Sequence, residues 1–148
     1  MKKNSQINPL VLLQSTSIST YGILWLRIAF AIVYIWFGAL KIGGISPAHD
    51  LVQATFSWFP STIFVPALGI WEVMIGMGLL FRRFIPFTIL MLLIHMIGTF
   101  LPLFVVPEVC FNTFPYGPSL VGQYIIKNVV FITAALIVGS ISMEKKRK

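Results

Sequence analysis

A carboxylate, three cations and an imidazole stand inside stretches of this chain that are otherwise apolar. Glu72 lies near the middle of VPALGIWEVMIGMGLLF (residues 65–81), with no other charge in that stretch. An ionised carboxylate at that depth in a bilayer costs several kcal/mol and is normally paired. Arg27, Lys41 and Lys127 lie in the other apolar stretches, and His95 is a titratable neighbour. Such a set can pair helices by charge, or take up and release a proton beside a bound quinone or small acid. Both readings of Glu72 stand at the level of sequence, since burial raises a carboxyl pKa and a cationic neighbour lowers it. His95 is read as a hydrogen-bonded packing residue, or as a donor to a quinone carbonyl. Bis-histidine haem ligation needs a second buried His, and the other histidine, His49, falls in a short polar segment with Asp50.

The elements that position these residues follow from composition. The chain has 148 residues, 57% hydrophobic and 10% charged. A soluble domain carries about 25% charged residues, so the expectation is an integral membrane protein. A span takes about 20 apolar residues. Four stretches qualify, near 21–42, 63–81, 84–106 and 120–141. They fill one membrane domain over residues 1–148. The run LVLL at residues 10–13 is too short for a cleaved signal. The expected fold is all-α, a membrane four-helix bundle with four transmembrane helices and an additional short interfacial helix after the first span.

That extra helix is expected over about 47–59. Ser46 and Pro47 read as its N-cap and first position. Val52, Phe56 and Phe59 share one face, and Trp58 suits the headgroup level. Thr20 reads as the N-cap of span one and Gly43-Gly44 as its end. Pro102 is expected to kink span three near its outer end. The segment after it, PEVCFNTFPYGPS, reads as an ordered outer loop. Its single cysteine, Cys110, is expected to be an inert loop thiol, open at most to an intermolecular disulfide. One cysteine excludes a CxxC redox pair and a four-thiolate metal site within the chain.

Lys2 and Lys3, Arg82 and Arg83, and Lys145 to Lys148 all fall on one side of a four-span topology. Basic residues flanking spans mark the cytoplasmic side, so both termini are expected there. The tail reads as a topology anchor that also meets anionic lipid, and nucleic acid is not an expected partner.

Each span carries one small-and-polar face. Arg27, Tyr34 and Lys41 are spaced by seven, Gly69 and Gly76 flank Glu72, Thr88 and His95 share a face, and Gln123 and Lys127 are one turn apart. At about 1.5 Å per residue, Glu72 lies roughly 14 Å below the outer end of its span and Lys127 roughly 10 Å below the same surface. His95 falls near mid-membrane and Lys41 close to the outer surface. Arg27 falls in the inner third, placed to snorkel. Lys127 is therefore the expected partner of Glu72, with Lys41 reaching from above and His95 from the side.

RIAFAIVYIWFGALKIGG, LGIWEVMIGMGLL and GQYIIKNVVFITAALIVG cover about a third of the chain. In this order they resemble the DoxX-like family of small four-span bacterial membrane proteins. The resemblance implies Arg27, Lys41, Glu72 and Lys127 as characteristic polar positions, and a bacterial cytoplasmic membrane. It also implies a subunit or accessory of a quinone-linked redox or oxidant-stress system. Such a subunit would bind quinone, carry no covalent cofactor, and depend on an oxidoreductase partner. The other reading is a non-enzymatic small-solute or ion transport protein, or a membrane scaffold. Beside the lipid bilayer and an oxidoreductase subunit, further copies of the chain, in a homo-oligomer, are a candidate partner.

Overall fold

The computed structural model describes the backbone of residues 16–147. The chain is mostly helical, with four helices long and apolar enough to cross a membrane: Tyr21–Ile42, Ser61–Leu80, Ile85–Val105 and Leu120–Ser142. It is an all-α bundle and a multi-pass membrane protein. Its outward faces carry Trp25, Trp36, Ile63, Ile97, Phe104 and many other large apolar side chains, all exposed, which is the surface a bilayer requires.

Helix α1 (Thr16–Ile42) is already formed at Thr16, so Thr20 lies inside it rather than at its cap. Its end follows the glycines, as expected. Gly44 adopts φ 70°, its N–H donates to the Lys41 carbonyl, and the Ile45 N–H donates to the Leu40 carbonyl. That is a Schellman ending, in which a left-handed glycine satisfies carbonyls of the last turn. It fixes Lys41 in the final turn of α1.

Helix α2 (His49–Thr55) is the short extra helix, but it is smaller than 47–59. Ser46 does not cap it. The Ser46 Oγ accepts from the Ala48 N–H (3.3 Å) and its carbonyl accepts from the His49 N–H (3.1 Å), closing a turn that ends where the helix begins. Past Thr55 the chain leaves the helix. Phe59 therefore does not continue the stripe of Val52 and Phe56, and stacks instead on Phe64, with centroids 5.3 Å apart and planes at 8°.

Helix α3 (Ser61–Leu80) and helix α4 (Ile85–Phe100) are joined by the Arg82-Arg83 hairpin. Pro102 cannot donate a backbone N–H, and the third span breaks there into α4 and α5 (Pro102–Val105). Leu101 keeps helical dihedrals (φ −54°, ψ −39°), so the path continues across the break. The loop after the third span is ordered, as expected, and holds secondary structure that its short, aperiodic segments do not announce. It forms α6 (Pro107–Cys110) and a two-stranded antiparallel ribbon, β1 (Phe111–Thr113) with β2 (Gly117–Pro118), paired Phe111 to Pro118 and Thr113 to Gly117. The Phe114–Pro115 peptide in its turn is cis. Cys110 is fully buried, not displayed in a loop.

The fourth span is divided at Lys127 into α7 (Leu120–Ile126) and α8 (Asn128–Arg147). Ser119 caps α7: its Oγ accepts from the Gly122 N–H (3.2 Å) and donates to the Val109 carbonyl (2.7 Å), tying the span to α6. Lys2, Lys3 and Lys148 lie outside the described residues, as do the side chains of Lys145 to Arg147.

The bundle centres on a closely packed, antiparallel pair, α1 and α3. A Cβ at Gly38 would stand 2.5 Å from the Gly69 carbonyl oxygen, and one at Gly69 2.6 Å from the Gly38 carbonyl oxygen. One at Gly76 would meet Ile35 and the Ala31 carbonyl. Small residues let two backbones touch, the usual way membrane helices gain packing energy where no hydrophobic drive exists. Helix α4 packs on α3 through Thr88 against Gly78, and α8 packs on α4 through Gly139 against Ile89. Phe30 and Phe131 close the ring edge-on at 5.1 Å. Phe30, Ala31, Tyr34, Ile75, Leu79, Ile85, Leu92, Ala135 and Val138 form the shared core.

Candidate functional site

Near the α2 end of the bundle, Lys41, Glu72 and His95 meet. The Lys41 Nζ donates to both Glu72 oxygens, at 2.8 and 2.7 Å. The His95 Nε2 stands 3.2 Å from Glu72 Oε1. All three are buried, with exposures of 7%, 6% and 8%. The Tyr34 ring packs edge-on against the His95 ring at 5.8 Å. Its hydroxyl is buried without a hydrogen-bond partner among the described residues, as is the Trp71 indole N–H.

The partner of Glu72 is thus Lys41, and the expected pairing with Lys127 is incorrect. The reason lies in side-chain direction. A helical Cα–Cβ bond tilts toward the helix N-terminus. In α1 the N-terminus is at the far end of the bundle, so Lys41, although its backbone sits at the last turn, sends its side chain inward. In α3 the N-terminus is at the near end, so Glu72 tilts up to meet it. Lys41 and Glu72 each lie nearly one turn beyond their glycine, Gly38 and Gly69, so the glycine contact sets both the height and the closeness of the pair. In α7 the N-terminus is again at the near end, and Lys127 tilts away from mid-membrane. It is exposed, with its Nζ 4.2 Å over the Tyr124 ring.

Arg27 is buried as well, but does not join the centre and does not snorkel. Its Nε donates to the Leu79 carbonyl (3.1 Å), and its Nη2 to the carbonyls of Leu79 (2.7 Å) and Leu80 (3.1 Å). These are orphan acceptors of the last turn of α3. Arg27 closes that helix end and ties it to α1, about 20 Å along the helix from Lys41. One arginine thus locks the far end of the α1–α3 pair and one lysine the near end.

The expected polar set is therefore divided. Glu72, Lys41 and His95 come together, Arg27 is a helix-end clamp, and Lys127 lies on the outer face. Tyr34 is the member of the centre that the sequence reading did not single out as a site residue. Its place in the seven-residue stripe between Arg27 and Lys41 was the available signal. His49 and Asp50 occupy the first turn of α2, as expected. Among the described residues no group of three metal-ligating side chains forms.

An apolar groove of about 500 Å³ runs along α4 and α5, lined by Leu93, Met96, Ile97, Phe100, Phe104 and Ile132. At 100° per residue, Leu93, Ile97, Phe100 and Phe104 share a face of the third span opposite to His95. The groove therefore faces lipid rather than the centre.

Comparison of the chain with family models, with curated proteins and with solved structures found no match.

Proposed function

We propose that the protein is a DoxX-like membrane subunit or accessory of a quinone-linked redox or oxidant-stress system, and that Lys41, Glu72 and His95 are its proton-handling centre. The observation that supports this is the shared carboxylate: Glu72 is held through both oxygens by Lys41 and approached at 3.2 Å by His95. Lys41 and Glu72 offset each other's charge. His95 Nε2 stands within hydrogen-bond reach of the same carboxylate, so in this reading a proton passes between the ring and Glu72 while Lys41 holds the carboxylate in place. Quinone reduction takes up two electrons and two protons. In this reading the electrons come from a partner oxidoreductase subunit and the protein supplies protons or holds the headgroup. The setting is the cytoplasmic membrane of a bacterium, with both termini in the cytoplasm beside Arg82 and Arg83.

A second reading is favoured by a different observation. Both Glu72 oxygens are already engaged by Lys41 across a backbone contact that admits no side chain. In that reading the centre fixes the register of α1 on α3, and the protein is a scaffold or a small-solute transporter.

The two are separated by mass spectrometry of the protein gently extracted from its native membrane, beside a Glu72→Gln variant of equal abundance. A quinone or oxidoreductase subunit present with the native chain and lost from the variant supports the first reading. The protein alone with bulk lipid in both samples refutes it.

A further inference from the structure

Lys127 is left out of the centre, and its surroundings are unusual for a cation in a membrane span. It is exposed, seven residues into a span that begins at Leu120, and no carboxylate among the described residues pairs with it. Its fourth span is the least buried of the four in its apolar window, at 22%. The helix breaks at this residue, between Ile126 and Asn128. Gln123 and Tyr124, one turn nearer the α2 end, are exposed beside it. Leu120 and Val130, one turn to either side on the same span, are exposed and apolar.

The geometry points to a binding site for the phosphate of an anionic phospholipid, formed by the Lys127 ammonium with the Gln123 amide and the Tyr124 hydroxyl. The Lys127 backbone lies about 10 Å below the start of the span. Its side chain runs toward the helix N-terminus and places the ammonium over the Tyr124 ring, at 4.2 Å. The charge therefore sits roughly a turn nearer the surface, about 5 Å below the start of the span. That is where a lysine reaches lipid headgroups and where amphipathic aromatics collect. The ring face offsets part of the ammonium's lost hydration but supplies no counter-charge. A phosphodiester supplies one, with oxygens to accept from the ammonium, the amide and the phenol. Its acyl chains find the exposed apolar side chains on either side. Lipid is favoured over a partner helix by the direction of the side chain: it rises toward the headgroups instead of extending sideways at depth.

The test is photo-crosslinking in nanodiscs of mixed phosphatidylglycerol and phosphatidylcholine. A photoactivatable group is placed on the headgroup of one lipid or the other, and the sites are mapped by peptide mass spectrometry. The expected result is labelling of residues 116–128 by the phosphatidylglycerol probe, competed by unlabelled phosphatidylglycerol. It should fall about fivefold in Lys127→Gln, the loss of one ammonium–phosphate attraction near a membrane surface, and persist in Lys127→Arg. Both variants should keep the native thermal midpoint, because the Lys127 side chain is exposed and forms no hydrogen bond or ion pair among the described residues. Equal labelling by the phosphatidylcholine probe, or undiminished labelling in Lys127→Gln, overturns the site. Loss of a second polypeptide or a second copy from Lys127→Gln, with lipid labelling unchanged, overturns it in favour of a protein interface.

Discussion

Removing Lys41 or Glu72 alone should cost far more than removing both. The Lys41 ammonium makes two charge-assisted hydrogen bonds, at 2.7 and 2.8 Å, to a carboxylate that is 6% exposed. Breaking a buried pair from one side strands the other charge and costs about 3–5 kcal/mol. Replacing both partners by uncharged residues of similar shape removes the desolvation cost together with the attraction, and is often near neutral. Glu72→Gln and Lys41→Met should each fall in that range. Lys41→Met should lie at its lower end, because His95 remains 3.2 Å from Glu72 and still offers its carboxyl a hydrogen-bond partner. The double variant should cost less than the worse single. The coupling energy of the cycle should then exceed the lesser single, about 3 kcal/mol, at or above the upper end for residues in contact. Glu72→Gln with Lys127→Met should instead add within about 0.5 kcal/mol, as distant sites do. The assay is steric-trap unfolding in bicelles, which reads free energies in a lipid setting. A double variant as unstable as the sum of its singles, or strong coupling of Glu72 to Lys127, would refute the reasoning.

Three further outcomes follow from the same geometry. Gly38→Ala places a methyl 2.5 Å from the Gly69 carbonyl oxygen and should cost about 1–3 kcal/mol of overpacking, read in the same assay. By driving α1 from α3 it should also weaken the coupling of Lys41 to Glu72. Arg27→Lys should fail to restore the stability lost in Arg27→Met, because an ammonium cannot reproduce the planar fork that holds Leu79 and Leu80; equal stability of Arg27→Lys and the native chain would count against this. Cys110 is fully buried, and burial pushes its thiol pKa up, with Glu108 adding to the shift. Maleimide should therefore label the folded protein far more slowly than the SDS-denatured chain, at neutral pH and one or two units above it, since the thiolate is the reactive form.

The chain's order and composition carried much of the architecture. Four apolar stretches of spanning length and clusters of Lys and Arg at their ends already fix the number of crossings, because lipid offers backbone groups no partner outside a helix. The glycines flanking Glu72 announced a close helix contact, and Gly43-Gly44 announced a helix end, since both depend on the local lack of a side chain. The ribbon at Phe111 to Pro118 was not legible, because its strands are only three and two residues long and carry no period. Nor was the buried state of Cys110, which depends on Ser119 drawing α6 onto α7.

That a carboxylate, an imidazole and several cations stand inside apolar spans, and roughly how deep their backbones lie, can be counted along the chain. Which of them meet depends on the fold. Depth along a helix is a property of counting, whereas contact depends on the direction a side chain leaves its helix and on which helices touch. Lys41 and Lys127 are both near the same end by counting. Lys41 is on a helix that enters from the far end, against the glycine face of α3, and points in. Lys127 is on a helix running the other way, at the rim, and points out.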